Sequence, residues 1–172
     1  MVNLTEIISF LNTTAPPSLA EDYDNVGLLI GDRDKEIRKV LVTLDADEVI
    51  AIDAREQQAD LVLSHHPLLF KPLNRITGED AVSRTVMSFV KDDIALFAMH
   101  TNFDSVQPGL GDLFLDYIAE TSRRAPLDGD GENGIGRIAE LKEACSFSDL
   151  LNRIKTNYNS IFFTFIFRPF II

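Results

Sequence analysis

The feature that most constrains this chain is a repeated alternation of short apolar runs with helical patterns. Lys39 to Leu44 (KVLVTL) is a continuous β-branched run of strand length. Asp45-Ala46-Asp47 can cap the helical pattern Glu48 to Gln58 that follows, with Val49, Ile50, Ile52 and Ala59 as apolar positions. Asp60 to Leu63 (DLVL) is a second short run. Glu79 to Lys91 places Ala81, Val82, Thr85, Val86, Phe89 and Val90 at helical spacing, and Ile94 to Met99 (IALFAM) is a third run. Runs that are apolar on both sides of a strand need a sheet covered on both faces. Helices between them supply that cover through right-handed βαβ crossovers. The expected fold class is therefore α/β, with a parallel or mostly parallel sheet and helices on both faces.

The flanks extend this frame. Leu4, Ile7, Ile8 and Leu11 predict a helix starting after Asn3, a suitable N-cap, and stopping at Ala15-Pro16-Pro17. Glu21 to Asn25 is irregular and leads into Val26 to Asp32, a glycine-punctuated turn and strand. Leu110, Leu113, Phe114, Tyr117 and Ile118 predict a helix over Gly109 to Glu120, and Ser122 to Asn133 reads as a polar, glycine-rich loop. Gly134 to Leu141 is a turn into a strand, and Ser146 to Lys155 a last helix capped by Ser146 or Ser148. Residues 161–172 (IFFTFIFRPFII) change character, with Thr164 and Arg168 as their only polar side chains. As a strand such a segment is apolar on both faces and prone to aggregate. The expected organisation is an α/β domain over residues 1–155 and a divergent tail over 156–172, the scar of a truncated or altered reading frame.

Composition narrows the function. Sixteen Lys and Arg against 27 Asp and Glu leave a formal charge of −11, which repels phosphate backbones and anionic membranes. Nucleic acid is not an expected partner. Cys145, the single cysteine, cannot make an internal disulfide and reads as a small buried apolar residue. With no basic leader and no apolar span of the ~18 residues a membrane helix needs, the expected location is cytoplasmic.

All three histidines directly follow predicted strands: His65 and His66 in LVLSHHPLLF, His100 in LFAMHTNFD. Ligands of open parallel sheets gather at the carboxyl ends of the strands, so these imidazoles should converge there. Pro67 keeps His66 out of the α region, which lets both rings of the pair splay toward one pocket. Asp104, four residues past His100, brings a carboxylate to the same edge. Neutral imidazole with carboxylate suits a divalent ion such as Zn, Mn, Fe or Ni. Asp45 also follows a strand, but with Asp47 it is assigned to helix N-capping. Ser64, adjacent to His65, is assigned to packing. The chain carries no phosphate-binding glycine loop, Gly-x-Ser-x-Gly elbow or Cys-x-x-Cys pair.

EDYDNVGLLIGD (Glu21 to Asp32), LVLSHHPLLF (Leu61 to Phe70), AMHTNFD (Ala98 to Asp104) and GIGRIAEL (Gly134 to Leu141) follow one another in this chain. In those motifs and that order it resembles the NGG-interacting-factor-like dinuclear metal-binding proteins, often labelled GTP cyclohydrolase 1 type 2 homologues. The resemblance covers about the first 155 residues. Tyr23 stands where that family usually has Trp.

The resemblance implies a toroidal homohexamer with two divalent metals per subunit. It assigns His65, His66 and Asp104 as metal ligands. The resemblance implies that the family completes its site with a His and a Glu, in a His-x-x-x-Glu pattern on a helix of the C-terminal half. This chain has no histidine after His100. Three ligands hold one ion weakly at best, because confining two dications needs more donors to offset their dehydration.

The function expected is that of a divalent-metal-binding protein, a dinuclear metal-dependent hydrolase of the GTP cyclohydrolase 1 type 2 kind truncated before its C-terminal ligands, whose incomplete site should bind metal poorly and whose small-molecule substrate is unknown. Asp104 would bridge the ions, and His100 would shuttle protons, orient Asp104 or serve only as a structural hydrogen-bond partner. The alternative is a non-catalytic, metal-stabilised oligomeric scaffold.

Overall fold

The computed structural model describes residues 1–129 and 131–158. The apolar run 161–172 therefore lies outside the described residues. The elements are β1 (Val2–Asn3), α1 (Leu4–Thr14), a 3-10 turn (Pro17–Leu19), β2 (Gly27–Ile30), β3 (Glu36–Ile37), β4 (Val40–Thr43) and α2 (Glu48–Glu56). They continue with β5 (Leu61–Ser64), α3 (Ala81–Lys91), β6 (Ala95–Ala98), α4 (Thr101–Ser105), α5 (Leu110–Ile118), β7 (Thr121–Ala125), β8 (Ile138–Leu141) and α6 (Phe147–Tyr158).

The central sheet has the order β2-β6-β5-β4. Strands β4, β5 and β6 are parallel, with Thr43, Ser64 and Ala98 in register at their carboxyl ends. Strand β2 is antiparallel to β6 and pairs Gly27 with Ala98. The fold is thus α/β with a mixed, mostly parallel sheet, as the alternating pattern predicts. The side-chain period of two explains why the runs are unbroken. Leu61, Ala95 and Phe97 face Leu4, Ile8 and Leu11 of α1, while Val62 and Leu96 face Ala51, Ala54 and Phe89 of α2 and α3.

Asn3 caps α1 by accepting the Thr5 N–H at 2.8 Å, and Asp80 caps α3 through the Ser83 N–H at 2.8 Å. Helix α2 departs from expectation in its orientation. Val49 and Ile52 are exposed, and the face against the sheet is Ala51 and Ala54. Alanine lets the helix lie close to the strands, with Ile50 packed partly buried beside it.

The segment expected to be a polar loop contains β7. It pairs with β8 antiparallel, from Thr121 opposite Leu141 to Ala125 opposite Ile138. TSRRA carries no apolar alternation; pairing with β8 fixes it, together with Arg124, whose Nη1 donates to the Asp112 carbonyl at 3.3 Å. Arg137 ties the ribbon to the domain. Its Nε donates to Asp112 Oδ2 at 2.9 Å, Nη1 to the Gly136 carbonyl at 2.7 Å and Nη2 to the Val106 carbonyl at 2.6 Å. Both side chains of the Arg137–Asp112 pair are buried. Gly134, at φ +148°, passes so close to Asp128 that a Cβ would sit 2.2 Å from its carbonyl oxygen. Cys145 is half-buried, not fully buried as read from composition.

Candidate metal centre

Parallel register delivers His65 and His66 just past β5 and His100 just past β6, at one edge of the sheet. Their ring centroids are 5.0 Å (His65–His66), 5.2 Å (His65–His100) and 5.6 Å (His66–His100) apart. Each offers a ring nitrogen within 4.8 Å of the others. The strand ends hold the pair from behind. The His65 N–H donates to the Thr43 carbonyl at 3.2 Å and the His66 N–H to the Leu44 carbonyl at 2.9 Å, and the buried Ser64 hydroxyl donates to the His66 carbonyl at 3.0 Å. Ser64 is structural, as expected.

The partners of the three Nδ1 atoms set the tautomers. His65 Nδ1 is 2.9 Å from the Met99 carbonyl, which can only accept, so Nδ1 carries the proton. His66 Nδ1 is 2.8 Å from Asp45 Oδ1, and His100 Nδ1 is 2.9 Å from Asp24 Oδ1. Ionised carboxylates also only accept. In all three neutral rings the lone pair is therefore left on Nε2, the arrangement that prepares imidazole to bind a cation. Asp104 joins them from α4, with Oδ2 at 3.8 Å from His65 Nε2. The sequence-expected set of His65, His66 and Asp104 thus lies along one edge, and His100 stands with it. The ring of His100 bonds Asp24, whereas an orienting contact to Asp104 was one of the roles open to it.

Asp45 corrects the capping assignment. Asp47 alone caps α2, accepting the Ile50 N–H at 2.9 Å, and the Asp45 carboxylate turns back to His66. Only the residue directly before the helix has the extended backbone that aims its side chain at the first-turn N–H groups.

Asp24 is the functional residue that the strand pattern does not reveal. Because β2 runs antiparallel, the segment before it, and not the one after it, arrives at the carboxyl edge of β5 and β6. The Asp24 side chain is fully shielded from solvent. Burial pushes its carboxyl up, but hydrogen bonds from the Thr101 hydroxyl, the His100 ring and the backbone N–H groups of Asn25 and Thr101 outweigh it and hold the group below its ordinary value. Asp24 therefore stays ionised and keeps His100 in its tautomer.

The remaining letters of the His-Thr-Asn-Phe-Asp run now have physical roles. The Thr101 hydroxyl donates to Asp24 and accepts the Glu21 N–H at 3.0 Å. Asn102 Oδ1 accepts the His100 N–H at 2.9 Å, and its Nδ2 donates to the Ala15 carbonyl at 2.8 Å. These bonds fix the α4 backbone that carries Asp104. Among the described residues, Asp24, Asp45 and Asp104 make no ion pair with Lys or Arg. Three Nε2 lone pairs with the Asp104 carboxylate beside them form a donor set with no resident positive charge, which fits a divalent ion.

A mostly parallel sheet whose carboxyl edge gathers imidazoles and carboxylates defines an α/β protein with a candidate metal centre. The chain belongs to the family described as Duf34/NIF3 (NGG1p interacting factor 3), whose model matches residues 2–165. It is 39% identical over 160 residues to a protein of Clostridium perfringens named GTP cyclohydrolase 1 type 2 homolog, covering 91% of this chain and 60% of that one. It is 38% identical to NIF3-like protein 1 of Drosophila melanogaster, covering 81% and 49%. Among solved structures, reduced HcgD from Methanocaldococcus jannaschii superposes with a TM-score of 0.79 at 35% identity, covering 90% of this chain and 60% of that one. The chain thus spans about 60% of the length of the Clostridium relative. No helix among the described residues is long and apolar enough to cross a membrane.

Proposed function

We propose that this chain binds a divalent metal ion at the carboxyl edge of its sheet and belongs to a metal-dependent hydrolase acting on a small molecule. His65, His66 and Asp104 are the ligands, and His100 adds a third imidazole. The observation that carries this reading is the shared ring geometry: three imidazoles whose Nδ1 atoms lie 2.9, 2.8 and 2.9 Å from acceptor oxygens, which leaves Nε2 for a cation, beside Asp104. A bound ion would supply Lewis acidity, lowering the pKa of a coordinated water and polarising a substrate oxygen. The residues themselves orient the donors: Asp24 and Asp45 each fix a ring, and Thr101 and Asn102 fix the backbone of α4.

The four donors would hold at most one ion per chain, and a second would need donors that these histidines do not supply. The names of the relatives suggest GTP as a substrate, the family resemblance suggests a ring of six subunits, and the single cysteine suggests a cytoplasmic setting. Elemental analysis of the purified chain, with a zinc or manganese titration followed by calorimetry, tests the proposal. One ion per chain that is lost in a His65→Ala, His66→Ala double variant is expected. Retention of the metal by that variant would contradict the site, and metal binding without metal-dependent hydrolysis would leave a scaffold instead of an enzyme.

A further inference from the structure

Beside the histidines runs a second cleft, of about 560 Å³, walled by the loop before β2 and the loop after His66. Its lining includes Tyr23, Asp24, Asn25, Phe70, Lys71 and Ile76. Asn25 Nδ2 donates to the Leu69 carbonyl at 2.6 Å and latches the two loops together. The Phe70 ring lies edge-on to His100 at 6.2 Å, and Tyr23 lies edge-on to Phe70 at 6.3 Å. A line of rings therefore leads from the imidazole cluster into the cleft. Tyr23 is 65% exposed and Phe70 44% exposed. Both rings therefore present open surface at the cleft against which a planar molecule could pack.

Charge gives the second argument. The chain carries −11, yet the lysine lining this cleft, Lys71, makes no ion pair or hydrogen bond among the described residues. An unpaired ammonium at the mouth of a ring-lined cleft is complementary to an anion.

We propose that this cleft is the subsite for the ring of the ligand: a planar aromatic or heteroaromatic molecule bearing an anionic group. The ring packs against Tyr23 and Phe70, and the anion faces Lys71. Asp24 belongs to both places, since it lines the cleft and holds His100, so a molecule seated here lies against the imidazole cluster. The inference rests on the proposed metal reading for its chemical purpose but not for the binding itself.

Three probes separate the contributions: adenosine 5′-monophosphate, ribose 5-phosphate and adenosine, titrated into the full chain by calorimetry, with metal content measured on the same samples. The nucleotide should bind about tenfold more tightly than ribose 5-phosphate, the scale of one stacked ring. Phe70→Leu or Tyr23→Leu should erase that difference, and Phe70→Tyr should keep it. Lys71→Gln should weaken the nucleotide and leave adenosine unchanged, all at unaltered metal content. Equal binding of nucleotide and ribose 5-phosphate by the natural sequence overturns the proposal, as does a preference that survives both leucine variants. Ring-dependent binding by a chain that takes up no metal supports the cleft and removes the metal reading, so the two failures are distinguishable.

Discussion

The two edges of the central sheet treat their carboxylates in opposite ways. At the amino edge, Asp60 accepts the Arg38 N–H at 2.8 Å, the Lys39 N–H at 3.0 Å and the Arg38 guanidinium at 3.4 Å, and Lys35 pairs with Asp93 at 3.1 Å. A cleft of about 740 Å³ opens there, yet its positive and negative groups already neutralise one another. At the carboxyl edge the acids meet imidazoles, and no lysine or arginine pairs with them among the described residues. The larger cleft is electrostatically closed, and the edge with unpaired negative charge is the one that asks for a cation. Size alone would have pointed to the wrong end of the sheet.

The largest effects should come from breaking the donor set. In the His65→Ala, His66→Ala variant, the rise in thermal stability that zinc gives the natural sequence should vanish. That rise equals RT ln(1 + [L]/Kd), about 2.7 kcal/mol at a hundredfold excess over Kd. Without metal the double variant should lose a modest, zinc-independent amount of stability, because His65, 16% exposed, gives up its packing and its bond to the Met99 carbonyl while His66 is half exposed. A thermal melt with and without zinc checks both halves.

The same question put to a structural pair gives the opposite pattern. Arg137→Met removes the 2.9 Å partner of the buried Asp112 and leaves it only Arg124, 3.6 Å from an Oδ1 that already lacks a hydrogen-bond partner. The expected loss is about 3–5 kcal/mol of stability in denaturant unfolding, equal in the presence and absence of metal. A loss that appears only with zinc bound would tie Arg137 to the site instead of to the ribbon.

Asp24→Asn tests the support of the imidazoles. The amide can turn its NH₂ toward His100 and reverse the tautomer, so zinc affinity should fall about 10–100-fold while the fold persists. A zinc titration checks it. The smallest effect belongs to the amino edge. Burial pushes the Asp60 carboxyl up, but the N–H groups of Arg38 and Lys39 and the Arg38 guanidinium outweigh it and hold it below the usual carboxylate value. A carboxyl lowered in the folded state stabilises above its unfolded pKa and loses that contribution as pH falls through the folded value. Asp60→Asn should therefore cost about 1 kcal/mol near neutrality and flatten the acid limb of the stability profile, with no change in metal uptake.

The sequence made some of this legible and hid the rest for identifiable reasons. Strands β4, β5 and β6 are apolar on both faces, so their runs announce a covered sheet, and histidines that follow such runs fall at its carboxyl edge. Asp24 was hidden because a single strand pattern does not show direction. An antiparallel β2 brings the preceding loop to the site, and nothing local to GLLI distinguishes that from a parallel strand. Asp45 was hidden by Asp47, since two acids before a helix look alike until one backbone is seen to be extended. Arg137 lies far along the chain from the groups it binds, Asp112 and Val106, and a glycine-flanked arginine has no periodicity to read.

The measurement closest to the central claim is a long-range proton–nitrogen NMR spectrum of the three imidazoles, recorded before and after zinc. The account predicts that all three neutral rings carry their proton on Nδ1 and that all three Nε2 signals shift together as one equivalent of zinc is added. A ring protonated on Nε2, or an Nε2 signal that stays in place through the titration, would contradict it.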